Sequence, residues 1–147
     1  MHIENPGAGA SHPLERFAAV LAALVCLAVT LAIWRNVSAH QGMWPLPGLY
    51  FLELPIVTLV VALAFVLDAP SRSILAWAAV GIVAAFSVLG AFSVGIAFVP
   101  VALLLAIAAI SSDLRNARPI AVHVGVCLVA AMAHAALMLL AIRLLYP

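Results

Sequence analysis

The longest apolar stretch of the chain, ILAWAAVGIVAAFSVLGAFSVGIAFVPVALLLAIAAI at residues 74–110, decides how often the chain crosses a membrane. As one helix it would be about 55 Å long at about 1.5 Å per residue, whereas the hydrocarbon core of a bilayer is only about 30 Å thick. The segment from Gly90 to Gly95 contains the small and permissive residues that a tight reversal needs. We therefore predict a helical hairpin here, with Pro100 in the first part of the returning helix, where proline costs least.

Three further apolar stretches flank this hairpin, and each is long enough to span a bilayer at about 20 residues per span. Pro55 is expected to kink the second span near its start. The sequence therefore predicts an all-α, polytopic transmembrane helical bundle in a single domain at 14–147, preceded by a flexible tail at 1–13. The five predicted spans lie at about 14–35, 48–67, 74–91, 94–111 and 120–145.

Composition independently indicates a membrane protein. The chain is 68% hydrophobic and only 7% charged, with a mean hydropathy of +1.30, whereas a soluble domain has about 25% charged residues. The net charge is +1 and no run of basic residues occurs, so the sequence argues against nucleic acid as a partner. The bilayer is the expected partner, together with other membrane protein subunits or further copies of this chain.

The arginines give a prediction of orientation, because short loops rich in basic residues stay on the cytoplasmic side. With five spans they divide four against two, whereas a single crossing by residues 74–110 would divide them three against three. The five-span arrangement places the amino terminus in the cytoplasm and the carboxyl terminus outside. All six basic residues are arginine and alanine is abundant, which we interpret as the bias of a GC-rich bacterium and hence a bacterial inner membrane. The four arginines that share the amino-terminal side are Arg16, Arg72, Arg115 and Arg118, and the two opposite are Arg35 and Arg143.

The first span has an alternative interpretation as a signal peptide, because Val37-Ser38-Ala39 resembles a small-residue cleavage site. Its apolar core of about 18 residues exceeds the usual 7 to 15 of a signal peptide, so a retained anchor is favoured. Small residues four apart, such as Gly81 with Ala85 and Ala131 with Ala135, predict close contacts between helices elsewhere in the bundle.

The last span carries the main candidate site. At about 100° per residue, Cys127, His134 and Met138 lie within about 60° of His123, so the four share one helix face. Imidazole, thiolate and thioether are ligands that copper and related soft metals prefer, and histidine is also an axial ligand of haem. Two alternatives stay open: the histidines hydrogen-bond to neighbouring helices as polar glue, or they relay protons. No other span offers a histidine, and Cys26 and Met43 are the remaining candidate ligands.

Glu53 is the acidic residue expected inside a span, about one turn into the second helix. It would bind a cation or proton there, together with His40 from the preceding loop. Alternatively, it is a wetted carboxylate stabilised at the positive end of its helix. Arg115 and Arg118 are interpreted as anchors that pair with Asp113 or contact lipid phosphates.

The chain carries no sequence motif of an enzyme. Four serines, at positions 71, 73, 87 and 93, have no base near them in sequence, although a triad need not be local. We therefore expect a small non-catalytic membrane protein, an accessory or structural subunit that packs against a larger membrane complex. The alternative is a small transporter, or a metal-binding or haem-binding protein, that uses the His123, Cys127, His134 and Met138 face.

Overall fold

A computed structural model describes residues 11–38, 48–91 and 93–145, and all its regular structure is helical. Five of its helical segments are long and apolar enough to cross a membrane, as in a multi-pass membrane protein. This confirms the predicted helical bundle of five spans. The helices are α1 (Pro13–Ser38), α2 (Gly48–Val66), α3 (Arg72–Leu89), α4 (Val99–Arg115) and α5 (Ile120–Leu145).

One difference from the predicted boundaries is at the end of α4. We expected a polar loop from residue 111, but the helix continues to Arg115. Ser112 and Asp113, polar as they are, are buried at 1% and 0% exposure, so the last turn of α4 belongs to the protein interior. The burial of these two polar residues explains why the helix extends one turn beyond the predicted end.

The predicted reversal after α3 is present, but its glycines serve close contact rather than unusual dihedral angles. No glycine in the described ranges has a positive φ. Instead, the Gly95 N–H donates to the carbonyl of Gly90 at 2.7 Å. A Cβ at Gly95 would lie 2.5 Å from the carbonyl oxygen of Ser87 and collide with it. A 3₁₀ turn, Gly95–Phe98, then leads into α4, and Pro100 lies in its first turn as predicted.

The core lies among the first four helices. α1 packs against α2 and α4, while α3 packs against α2, α4 and α5. Phe86 of α3 meets Phe98 edge to face at a centroid distance of 5.2 Å and Phe51 of α2 at 6.3 Å. Pro55 lies inside α2, and one turn later the Thr58 hydroxyl donates to the carbonyl of Leu54 at 3.0 Å. The helix continues past Pro55 to Val66.

α5 is the peripheral helix, and it packs mainly against α3. The two backbones touch at Gly81, where a Cβ would lie 2.1 Å from the carbonyl oxygen of Cys127 and 3.0 Å from the backbone nitrogen of Ala131. This contact bears out the prediction that Gly81 and Ala131 serve close helix packing. Only a glycine fits at position 81 without moving α5.

Two connections end their helices with a non-glycine residue in the left-handed region, Asp68 at φ 54° and Ala117 at φ 49°. After Asp68, the Ala69 N–H returns to the carbonyl of Ala64 at 2.8 Å, and after Ala117, the Arg118 N–H returns to that of Asp113 at 3.0 Å. Both are helix-ending motifs that usually place glycine at this position. The first turn joins α2 to α3, and the second brings the end of α4 beside the start of α5.

Candidate functional site

The predicted face of α5 is the face it turns to the protein. His123, His134 and Met138 are its buried residues, and Cys127 is half-buried. The two histidines are eleven positions apart, which separates them by about 16 Å along the helix. They therefore belong to two different polar clusters.

The first cluster, which we call the Asp113 cluster, consists of Asp113 with Ser73, Trp77 and His123. Asp113 is fully buried near the end of α4. Its carboxylate accepts a hydrogen bond from the Ser73 hydroxyl, one from Trp77 Nε1 at 2.7 Å and one from His123 Nδ1 at 2.7 Å. The carboxylate thus joins α3 and α5 to α4 through three donors.

The hydrogen bonds of the cluster define the tautomer of His123. A carboxylate is an acceptor only, so Nδ1 carries the proton that it donates to Asp113. The Ser73 oxygen lies 3.5 Å from the same Nδ1 atom. In a serine hydrolase triad, serine bonds to Nε2 while aspartate holds Nδ1. The cluster contains the three residue types of a triad, yet its geometry is not that of one.

The second cluster, which we call the His134 cluster, lies in the opposite half of the bundle. His134 is 4% exposed, and its Nδ1 is 3.4 Å from Oε1 of Glu53 on α2. This distance exceeds that of a usual N–H···O hydrogen bond, and the Glu53 side chain is 40% exposed. The Tyr50 ring meets the imidazole edge to face at 6.1 Å, and its hydroxyl lies 3.4 Å from the carbonyl of Met138.

The remaining nitrogen of His134 stands out. Nε2 is buried without a hydrogen-bond partner in the part of the chain that the structure describes. Met138, one turn further along α5, is 7% exposed and lines a neighbouring cavity of about 290 Å³ together with Tyr50 and Phe86. A buried polar atom without a partner is uncommon in proteins and asks for an explanation.

The structure places the other candidate residues as follows. Within residues 11–38, 48–91 and 93–145, no three His, Cys, Asp or Glu side chains come together so as to hold a metal ion. Cys26 is buried in α1. His40 and Met43 lie outside the described residues. The metal-site prediction at His123, Cys127, His134 and Met138 therefore stays a prediction.

Two ion pairs lie at the same end of the bundle as the Asp113 cluster. Glu15, which is 1% exposed, accepts hydrogen bonds from Arg115 Nε at 2.8 Å and from Arg115 Nη2 at 3.1 Å. Arg115 thus pairs with Glu15 on α1. The pair with Asp113 that the sequence suggested does not form. Asp68 accepts hydrogen bonds from the Ser11 N–H and from Arg16 Nη2, both at 2.6 Å. Hydrogen bonds from Ser11, and then from Arg16, hold the pKa of the Asp68 carboxyl far below its usual range.

Sequence reasoning missed the Asp113 cluster because it assigned Asp113 to a loop. One signal was available: Asp113 lies on the face of α4 that also carries Leu105 and Ala109, at spacings of four, and all three are buried. Its partners Ser73 and Trp77 are likewise four apart, on the first turns of α3. Extending the helical pattern of α4 past residue 111 would have placed Asp113 inside the bundle.

No protein family matches the chain, and no curated protein or solved structure is significantly similar to it. The fold and the polar clusters therefore define the chain by class, as a five-helix bundle of membrane-spanning length with paired polar groups between its helices.

Proposed function

We propose that the chain is an accessory or structural subunit of a larger membrane complex, and that α5 is the helix that contacts its partner. One observation carries the proposal: Gly125, on the outward face of α5, has nothing within 4 Å of the position that a Cβ would occupy. At about 100° per residue, Gly125 lies about 200° from His123, opposite the face that packs on α3.

The comparison with Gly81 supports this proposal. A glycine inside a helix costs about 1 kcal/mol relative to alanine, and in membranes its use is to let a second backbone approach. At Gly81 the approaching backbone is that of α5 itself. Ala121 and Gly125, four residues apart, form a short row of small residues on the outward face of α5, and Val129 ends it. A helix of a partner subunit fits this row.

The Asp113 cluster supports a structural role as well. Its carboxylate is fully buried and satisfied by three donors of the same chain, so it serves to join α3, α4 and α5. An interhelical hydrogen bond in a membrane protein contributes about 0.6 kcal/mol on average. Three such bonds therefore contribute about 2 kcal/mol together, and the one from His123 helps to hold α5 in place for a partner.

We further propose a bacterial inner membrane with the amino terminus in the cytoplasm. The arginines at the end where α1 begins support this orientation. Arg16 contacts Asp68, Arg72 bonds to the carbonyl of Asp68, and Arg118 lies at the carbonyl of Pro70. Arg115 joins the same end through Glu15. Basic residues gathered at one end of a short-looped bundle favour the cytoplasmic side, and reporter fusions to either terminus test the assignment.

Site-specific photocrosslinking in native membranes tests the role of α5. A photoreactive residue at Met132, on the outward face of α5, is expected to give an adduct with one protein of defined mass. The same probe at Leu103 on α4 is the matched control, since both side chains are exposed, at 74% and 60%. Gly125→Leu should abolish the adduct, and Gly125→Ala should retain it. Lipid adducts alone at both positions, from a chain that purifies as a stable monomer, would refute the proposal.

A second candidate function, binding of a metal or haem, is favoured by the partnerless Nε2 of His134. Imidazole and the thioether of Met138, one turn apart on one face, are ligands for copper or for haem iron. The absorption spectrum and metal content of the purified chain test this candidate. A chromophore or stoichiometric copper that disappears in His134→Ala and persists in His123→Ala would support it, and a metal-free, colourless protein from metal-replete and haem-replete cells would refute it.

A further inference from the structure

Arg72, the first residue of α3, is a buried cation, and no described carboxylate pairs with it. Its residue exposure is 4%, and its Nε atom is buried with no hydrogen-bond partner. Nη1 donates to the carbonyls of Asp68 and Ala69, each at 3.3 Å. No carboxylate lies within 4 Å of it among the residues that the structure describes. A buried charge left without a counter-charge is costly, so this position calls for an anion.

Arg118 brings a second guanidinium to the same turn. Its Nη1 and Nη2 atoms lie 3.5 and 3.4 Å from the carbonyl of Pro70. The two arginines therefore contact three successive carbonyls, those of residues 68, 69 and 70. Arg118, too, has no carboxylate within 4 Å in the described ranges.

Among residues 11–38, 48–91 and 93–145, the carboxylates at this end are engaged elsewhere. Glu15 holds Arg115, Asp68 holds Arg16, and Asp113 accepts from Ser73, Trp77 and His123. Meanwhile, Ser71 makes no side-chain cap hydrogen bond to the start of α3. The Arg72 N–H donates to the carbonyl of Ala69 at 3.1 Å, but the N–H groups that follow it in the first turn of a helix have no partner within it, and they attract anions.

We propose that Arg72, Arg118 and the amino-terminal end of α3 bind the phosphodiester headgroup of an anionic phospholipid. Guanidinium groups bind phosphate oxygens through paired N–H donors, and basic pockets between membrane helices bind anionic headgroups. The acyl chains of the lipid would pack against Leu67 and Ile74, which lie on either side of the turn and are exposed at 74% and 45%. This apolar flank is why the site takes a lipid rather than a free phosphate ion.

Native mass spectrometry of the full chain tests the proposal, with mixed micelles of detergent and equal amounts of phosphatidylglycerol and phosphatidylcholine. The wild type should retain phosphatidylglycerol in preference to phosphatidylcholine. Arg118→Gln should lower phosphatidylglycerol retention about fivefold, since an arginine near a membrane surface contributes about that much affinity for anionic lipid. Arg118→Lys, which keeps the charge but loses the planar fork, should fall between the two.

Arg143→Gln is the matched control, because it removes one exposed arginine at the other end of the bundle. It should retain phosphatidylglycerol as the wild type does. Equal retention of the two lipids by the wild type, or an equal loss in both glutamine variants, would overturn the proposal. A second arm adds inorganic phosphate to the protein in pure phosphatidylcholine nanodiscs. Thermal stabilisation there that depends on Arg118 and equals that given by phosphatidylglycerol would assign the site to free phosphate and overturn the lipid assignment.

Discussion

The two buried histidines of α5 lie on one helix face, and each has a carboxylate near its Nδ1 atom, yet the two surroundings differ. At His123 the carboxylate is fully buried, lies 2.7 Å away and accepts two further hydrogen bonds. At His134 the carboxylate is 40% exposed and lies 3.4 Å away. The first pair links α4 to α5 in a closed cluster, and the second leaves the other ring nitrogen of the histidine without a partner.

Residue type and helix face alone therefore do not determine what a histidine does in a bundle. A carboxylate excluded from water must be satisfied by protein donors, so His123, Ser73 and Trp77 are all committed to Asp113. The Glu53 carboxylate is 40% exposed and 3.4 Å from His134 Nδ1, so it makes a weaker demand on His134. We therefore expect the Asp113 cluster to contribute more to stability, and we propose the His134 cluster as the one available for a ligand.

The largest effect is expected from replacing the two carboxylates. Asp113→Ala leaves three buried donors without an acceptor, and we expect it to lower the free energy of unfolding by about 2–4 kcal/mol. Glu53→Ala removes a half-exposed group at a long distance and should change it by less than about 0.5 kcal/mol. Titration with a denaturing detergent, followed by circular dichroism, measures both. Equal losses in the two variants would remove the distinction between the clusters.

The next largest loss of stability is expected at Gly81, where α3 touches α5 between the two clusters. Gly81→Ala places a Cβ against the carbonyl of Cys127, which must move, so we expect a loss of about 1–3 kcal/mol in the same titration. Gly125→Ala is the control, since its Cβ enters open space and alanine favours the helix by up to about 1 kcal/mol. If Gly81→Ala costs more than Asp113→Ala, backbone packing holds α5 more strongly than the Asp113 cluster does.

Much of this architecture follows from the sequence alone. Length and apolarity predicted the five spans and the reversal between Gly90 and Gly95, because the bilayer thickness limits what one helix can be. The 100° periodicity placed His123, His134 and Met138 on one face, and all three are buried. These features depend on the local pattern of residues, which can be recognised in a single sequence.

The hydrogen-bond partners of polar residues on other helices cannot be predicted in the same way. Glu15 and Arg115 are 100 positions apart, and they meet because α1 packs against α4. The order of helices around the bundle is a property of all the contacts together, so no single motif predicts it. Asp113 and Ser73 are likewise 40 positions apart in the sequence, and they meet only because α3 packs against α4.

A smaller effect is expected at the turn that brings Asp113 beside His123. Ala117 adopts φ 49°, a conformation that costs a residue with a Cβ. Ala117→Gly should therefore stabilise the chain by about 0.5–1 kcal/mol, after the added freedom of glycine in the unfolded state is counted. Ala121→Gly, only four residues later but in the first turn of α5, should instead destabilise it, by up to about 1 kcal/mol. The same sign for both changes would contradict the strained turn.

The smallest effect is expected at the surface ion pair of Asp68 and Arg16, at the same end of the bundle as the buried Asp113 cluster. The pKa of Asp68 is lowered by hydrogen bonds from Ser11 and Arg16, so its contribution to stability is complete above the ordinary carboxyl pKa of about 3.9 and fades as the pH falls toward the lower, folded value. We therefore expect the wild type to be more stable than Asp68→Asn near pH 7, and the difference to shrink as the pH falls from about 5 to about 3. Other carboxyl groups titrate in both proteins and cancel in the difference. Unfolding midpoints across this range measure it, and a difference that does not change with pH would show that Asp68 acts through its shape in the turn and not through its charge.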